Sequence, residues 1–355
     1  MRTNRNSIRV IECHGTPREM GRQYGEQARA AIQHNAEYFL AAWNSKRAEV
    51  KKTGGAIRSL LARHVPEILD ELEGISQSSK VDLNRLLLMN QVDTMGAMWG
   101  NCTPLAVART DQGPLAAKNN DGGWKKKMFV THASGAALYV VRRCRPDHGI
   151  PFMQVTYAGW LSGMDAMNAE GLGNTHGSVG SIYDKSGPRV DIRLWTYRLM
   201  QRCRTTREFA GGLMAGSLTG KGFSITAVDR AGRTVVIEAA VPLIQARAWN
   251  EPFVYSTNHY NLPALQQSDM RTPPAKVVSL RRYGYLQWID AVRRPKRLAD
   301  VKQILSSHEP WAPCRHGGAH HSETEWSMIA LSQKNKVLVT DGPPCCAAYQ
   351  EFSLA

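Results

Sequence analysis

The chain has 355 residues, a formal charge of +15 and seven cysteines. That length buries a large core unaided, and an odd number of cysteines spread over the whole chain lacks the density of a disulfide scaffold and points to a reducing compartment. The arginine-bearing start has no apolar stretch behind it, and no run approaches the roughly 18 apolar residues of a membrane span, so a soluble, cytoplasmic protein is expected.

The basic clusters Lys125-Lys126-Lys127, Arg142-Arg143 and Arg293-Arg294-Pro295-Lys296-Arg297 are short and scattered. None sits in a helix-turn-helix, zinc-finger or aromatic RNA-binding pattern, so a solvated surface is expected and nucleic acid is not an expected partner. An anionic acyl carrier such as coenzyme A, as a substrate rather than a cofactor, is compatible with the same charge.

In chain order, residues 16 to about 98 read as three or four helices. Pro17 marks the first start, with Met20, Tyr24, Ala28 and Ile32 at helical spacing; the basic "NSKRAEVKKTGG" reads as an interruption. From Cys102 the period changes. "CTPLAVART" and "GPLAAKNN" are short apolar runs around Asp111-Gln112-Gly113, a hairpin turn. Further strands are expected at "FVTHA", "ALYVVRR", "FMQVTYAG", "FSITAVD", "TVVIEAAV", "FVYSTN", "WSMIAL" and "KVLVTDG", and helices near 188–214 and 273–307.

A cysteine entering a strand is ordinarily buried packing. It becomes a nucleophile if the bond before it is cut. The freed α-amine, with a pKa of about 7.7–8.0, can serve as base for the thiol on the same residue. An N-to-S acyl shift followed by hydrolysis would divide the chain between Asn101 and Cys102 into fragments 1–101 and 102–355.

Several separated motifs carry a resemblance. "HGTPREMGRQYGEQARAAI", "GNCTPLAV", "MNAEGLGNTHGSV", "YSTNHY", "CRHGG" and "TDGPPCCAAYQEFSL" span almost the whole chain. Together they resemble the acyl-coenzyme A:6-aminopenicillanic acid acyltransferase (isopenicillin-N acyltransferase) family of N-terminal-nucleophile cysteine hydrolases. The resemblance implies an α+β fold, a four-layer αββα sandwich assembled as one domain from both fragments. It also implies an amidohydrolase or acyltransferase acting on a linear amide or acyl thioester.

By that resemblance Cys102 is the nucleophile and Asp121, nineteen residues on, orients the new amine. Asn258 then stabilises an oxyanion, and Arg315 pairs with a carboxylate or the substrate's anionic end. Tyr157, Ala158 and Gly159 are expected to line the pocket, the backbone amides serving as oxyanion donors, and His259 to be structural or to support the site residues from behind. Two positions depart from the family pattern. Asn101 stands where glycine is common, and Pro104 where a hydroxyl residue is frequent, which leaves Thr103 as the local hydroxyl.

Cys314, His316, His320, His321, Cys345 and Cys346 are all capable zinc ligands. Their spacing lacks the paired C-x2-C or H-x3-H of a standard site, so a loop at the mouth of the site and a closing strand are expected, without metal. The expected partners are the small-molecule substrate, the chain's own fragment and possible further copies of the protein. The alternative is a non-processing ligand- or metal-binding relative.

Overall fold

The computed structural model describes residues 8–91, 101–123, 128–129, 137–183, 187–309, 311–317 and 322–354, and counts refer to these. Strand β1 (Val10–Gly15) precedes helices α1 (Pro17–Gln27), α2 (Arg29–Phe39), α3 (Arg47–His64), α4 (Pro66–Ser79) and α5 (Leu83–Gln91). Next come β2 (Thr103–Val107), β3 (Leu115–Gly123), β4 (Met128–Phe129), β5 (Leu138–Pro146), β6 (Phe152–Tyr157), β7 (Ala166–Asn168), β8 (Gly173–Ser178) and β9 (Val190–Asp191). Helices α6 (Ile192–Met200) and α7 (Thr206–Met214) lead to β10 (Leu218–Thr219), β11 (Phe223–Val228), β12 (Thr234–Ala240), β13 (Leu243–Arg247) and β14 (Phe253–Tyr255). They are followed by α8 (Pro263–Gln266), α9 (Pro273–Arg293), α10 (Leu298–Ser306), β15 (Ser322–Leu331), β16 (Lys336–Asp341) and β17 (Gln350–Ser353).

The N-terminal portion holds five helices rather than three or four. Ala28 leaves helical geometry, with φ −113°, and divides the expected first helix. The basic interruption is instead the start of α3, because Val50, Gly54, Ile57 and Leu61 form a buried stripe beneath its charged residues. Pro66 cannot continue α3 and opens α4. Thr16 caps α1 through a capping box with Glu19, as "GTPRE" suggests. The part of the last expected helix beyond Gln91, and most of "FVTHA", lie outside the described residues.

Two sheets face each other. A nine-stranded sheet runs β1-β5-β6-β7-β8-β11-β12-β13, with β4 beside β5, and a six-stranded sheet runs β14-β2-β3-β15-β16-β17. Alternate residues of one strand pack in different layers. Ala106 and Ala116 join Val141, Met153 and Trp326 between the sheets, whereas Leu105, Val107 and Ala117 pack against Leu286 and Ile289 of α9 and Leu305 of α10. A third cluster joins the other face of the large sheet, with Val140, Phe152 and Ile237, to the N-terminal helices and α6–α7. The layers are therefore helix, sheet, sheet, helix, an α+β four-layer αββα sandwich.

Glycines of the opening motif serve packing. A Cβ on Gly21 would lie 2.0 Å from the Glu71 carbonyl oxygen, and one on Gly25 would lie 2.1 Å from Ser78 Oγ, so α1 meets α4 only through glycine. Among the described residues, no helix is long and apolar enough to cross a membrane.

Candidate active site

Register places the candidate nucleophile. Thr103 of β2 lies opposite Asn119 of β3, and one step back puts Cys102 opposite Asn120. A further step sets Asn101 against Asp121, and the Asn101 amide donates to the Asp121 carbonyl at 3.1 Å. Opposed residues share a face of the sheet, so Cys102, Asn120 and Lys118 face the layer between the sheets, as Ala106 and Ala116 do. Thr103, Asn119 and Asp121 face the helices. Asn119 Nδ2 accordingly donates to the Leu305 carbonyl at the end of α10, at 2.8 Å.

Between the sheets, the buried Cys102 thiol lies 3.5 Å from Asn120 Oδ1. Asn120 Nδ2 donates to Glu325 Oε2 at 3.0 Å, and Glu325 also accepts from the Tyr139 hydroxyl, which contacts the Tyr157 hydroxyl at 2.7 Å. Glu325 occupies a bulge where the β3–β15 register shifts, which turns its carboxylate toward this layer. Lys118 Nζ meets Asp165 Oδ2 at 2.7 Å, and His176 Nδ1 meets Asp165 Oδ1 at 2.9 Å. Burial pushes the Cys102 thiol up, Lys118 pulls it down, and Asp121 and Asp165 push it up again. The thiol is therefore protonated at neutral pH.

On the helix side, Arg282 of α9 is fully buried and forks to three acceptors. Its Nη1 donates to the Cys102 carbonyl and to Thr103 Oγ1, the latter at 2.9 Å, and its Nη2 donates to Asn258 Oδ1 at 2.7 Å. Asn258 Nδ2 donates to the Ser178 carbonyl at 2.9 Å, which leaves its second amide hydrogen for another acceptor. Gly177 allows this approach, since a Cβ there would lie 2.4 Å from the Thr257 carbonyl oxygen. Burial lowers Arg282 to about 9, an effect that Asp121 opposes.

The Asp121 carboxyl is raised to about 6 by burial, against the pull of Arg282, a hydrogen bond from Thr324, and Arg315. Thr324 Oγ1 donates to Asp121 Oδ1 at 2.7 Å, while Asp121 Oδ2 is buried with no hydrogen-bond partner among the described residues. Thr324 also fixes the neighbouring loop, because its hydroxyl accepts from the Arg315 amide at 3.0 Å and its own amide donates to the Arg315 carbonyl at 3.0 Å. Arg315 is buried, and its Nε and Nη2 find no partner among the described residues. It borders a cavity of about 410 Å³ lined also by His308, Trp311, Cys314 and His316. A larger, basic cavity of about 840 Å³ lies between α9 and α10, and none of these site residues lines it.

Cys102, Thr103, Asp121 and Asn258 are thus drawn together around Arg282, and Thr324 ties Arg315 to Asp121. His259 stands beside them, with Nδ1 2.8 Å from Ser279 Oγ and Nε2 3.2 Å from Asn261 Oδ1; burial lowers it to about 4, so it is neutral. Two expectations are corrected. The Ala158 amide donates to the Leu138 carbonyl at 2.9 Å and the Gly159 amide to the Tyr24 hydroxyl at 2.8 Å, so neither is available to an oxyanion. Both belong to the turn that packs on the N-terminal helices. The Tyr157 hydroxyl, by contrast, reaches the Glu325–Tyr139 network beside Cys102.

Sequence reading missed Asn120, Lys118, Asp165, Glu325 and Arg282. Parity on β3 was a usable signal, because Lys118 and Asn120 alternate with Ala117 and Asn119 and share the face of Cys102. Arg282 lies on the α9 stripe of Ser279, Tyr285, Leu286 and Ile289, an arginine inside a buried pattern. Among the residues capable of binding zinc, Cys314, His316 and Cys345 come together and are joined by His308, which that set did not include. His320 and His321 lie outside the described residues, and Cys346 points to the Pro343 carbonyl.

No family model and no curated protein sequence matches the chain. Solved structures similar to it include a mutant of conjugated bile acid hydrolase from Clostridium perfringens, at 10% identity and a TM-score of 0.40, covering 71% of this chain and 96% of that one. A second variant of the same hydrolase gives 10% and 0.38, covering 68% and 89%. Penicillin V acylase from Agrobacterium tumefaciens gives 14% and 0.40, covering 68% and 83%. At such values the likeness does not indicate which residues act or on what.

Proposed function

We propose that the chain is a self-processing cysteine N-terminal-nucleophile enzyme that cuts its own Asn101–Cys102 bond. It then hydrolyses or transacylates a linear amide or acyl thioester through an acyl-Cys102 intermediate. The observation that carries this is the buried Asp121 Oδ2, without a partner among the described residues, on the residue opposite the bond to be cut. A new α-ammonium at Cys102 would be the donor that this oxygen lacks.

In processing, the Cys102 sulfur attacks the Asn101 carbonyl carbon. The C–S bond forms as the C–N bond breaks, and the thiol proton passes to the departing nitrogen. Water then hydrolyses the thioester and leaves an Asn101 carboxylate and a free Cys102 amine. The fragments 1–101 and 102–355 stay together through the cores that join them.

In turnover, the α-amine takes the thiol proton, which offsets the effect of burial on the thiol, and the thiolate attacks the acyl carbon. Asp121 orients the amine. The spare amide hydrogen of Asn258 stabilises the oxyanion, with Arg282 holding its carbonyl end. The unpaired donors of Arg315 suit an anionic group on the substrate, entering by the cavity they border. The α-ammonium returns its proton to the leaving group, and water or an amine then takes the acyl group. None of the seven cysteines is paired in a disulfide, in keeping with a cytoplasmic setting.

Intact mass spectrometry of the purified chain, fresh and aged, is the test. Fragments corresponding to 1–101 and 102–355 are expected, and the Cys102→Ala chain should remain whole and inactive. A chain that stays uncut on ageing, or an active Cys102→Ala protein, overturns the proposal.

A further inference from the structure

Four soft or borderline ligand atoms converge beyond the catalytic cluster. One ligand atom from each of His308, Cys314, His316 and Cys345 lies within 4.8 Å of the other three. His308 Nε2 is 2.9 Å from His316 Nε2, which is 3.0 Å from Cys345 Sγ and 3.7 Å from Cys314 Sγ. Tetrahedral zinc, with bonds of about 2.0–2.1 Å to nitrogen and about 2.3 Å to sulfur, sets its ligands roughly 3.3–3.8 Å apart. Small side-chain movements bring the four atoms to that spacing.

We infer that His308, Cys314, His316 and Cys345 form a Cys2His2 zinc site. Two thiolates and two imidazoles favour zinc over calcium or magnesium, which take oxygen ligands. Binding displaces one proton from each thiol, leaving a neutral tetrahedral centre. Four protein ligands leave no position for water, so the role is structural.

The ligands come from two segments: the connection from α10 to β15, which carries His308, Cys314 and His316, and the turn after β16, which carries Cys345. A metal here joins them at a point where the protein has little apolar packing, since three of the four ligands are exposed. Two ligands flank Arg315 directly. Its backbone is bonded to Thr324, whose hydroxyl reaches Asp121. Zinc would therefore act as a positioning element for Arg315, holding it beside Asp121 from both sides.

Metal titration of the Cys102→Ala chain tests this and keeps the nucleophile's thiol out of the readout. The reduced chain, stripped with chelator, is titrated with Co2+ as a spectroscopic probe and then with Zn2+. One equivalent of Co2+ should give intense tetrahedral d–d bands and a thiolate charge-transfer band, both abolished by one equivalent of Zn2+. Ligand variants Cys345→Ser and His308→Ala should weaken binding at least about a hundredfold, beyond the 10–100-fold effects of groups that only support ligands. The adjacent Cys346→Ser should bind as the parent does. A weak octahedral cobalt spectrum, equal binding by Cys345→Ser and Cys346→Ser, or a Cys314–Cys345 disulfide in place of metal in the freshly purified chain overturns the inference. The parent's cobalt spectrum decides the matter even if a ligand variant fails to fold.

Discussion

Arg282 and Asn258 are joined side chain to side chain, Nη2 to Oδ1 at 2.7 Å, while the same guanidinium holds the Cys102 carbonyl and the Thr103 hydroxyl. One buried fork thus sets the proposed nucleophile and the proposed oxyanion donor relative to each other. Lysine carries the charge but not the fork. Arg282→Lys should fold yet cut the Asn101–Cys102 bond more slowly, by at least about tenfold, as followed by an intact-mass time course. Arg282→Leu strands three buried acceptors at about 1–3 kcal/mol each and should lower the melting temperature sharply. Parental cutting by the lysine variant would remove the alignment role.

Two buried groups should give opposite pH responses in the uncut Cys102→Ala chain. Asp121 is raised to about 6, so the stability it contributes is present below its ordinary value of 3.8 and lost as pH rises through about 6. His259 is lowered to about 4 from 6.5, so the stability it contributes is present above pH 6.5 and lost as pH falls through about 4. Each displacement corresponds to roughly 3 kcal/mol, and in the parent the two nearly cancel across this window. Relative to the parent, Asp121→Asn should gain stability as pH rises from about 4 to 6, and His259→Gln should lose it. Urea unfolding at several pH values checks both signs, and parallel curves for the two variants would refute the assignment.

Lys118 and Asp165 form an ion pair with almost no exposure, 2.7 Å apart and shared with His176. Removal of one partner leaves an uncompensated buried charge, at a cost of about 3–5 kcal/mol. Lys118→Met should show that loss in urea unfolding of the Cys102→Ala chain, and adding Asp165→Asn should recover part of it. Lys118 also favours the Cys102 thiolate. With Cys102 present, Lys118→Met should therefore slow its alkylation by iodoacetamide at fixed pH, and an unchanged rate would separate Lys118 from the thiol.

Local patterns determined a good deal by themselves. Capping chemistry at Thr16-Pro17, the β2–β3 hairpin and the change of period at Cys102 are written in neighbouring residues, so the Cys102–Asp121 relation follows from strand register. The reading failed where polar composition stood in for periodicity. The basic residues of α3 cover its solvent face only, and its apolar stripe continues beneath them.

What the tertiary structure alone decided are the partners that come from distant segments. Arg282 reaches Cys102 across 180 positions, Lys118 meets Asp165 across the gap between the sheets, and the four Cys and His ligands converge from two loops. A buried charge or ligand has to be satisfied by something, and sequence spacing reveals the need without naming the partner. Only the packing of two sheets and a covering helix brings those groups within hydrogen-bonding distance.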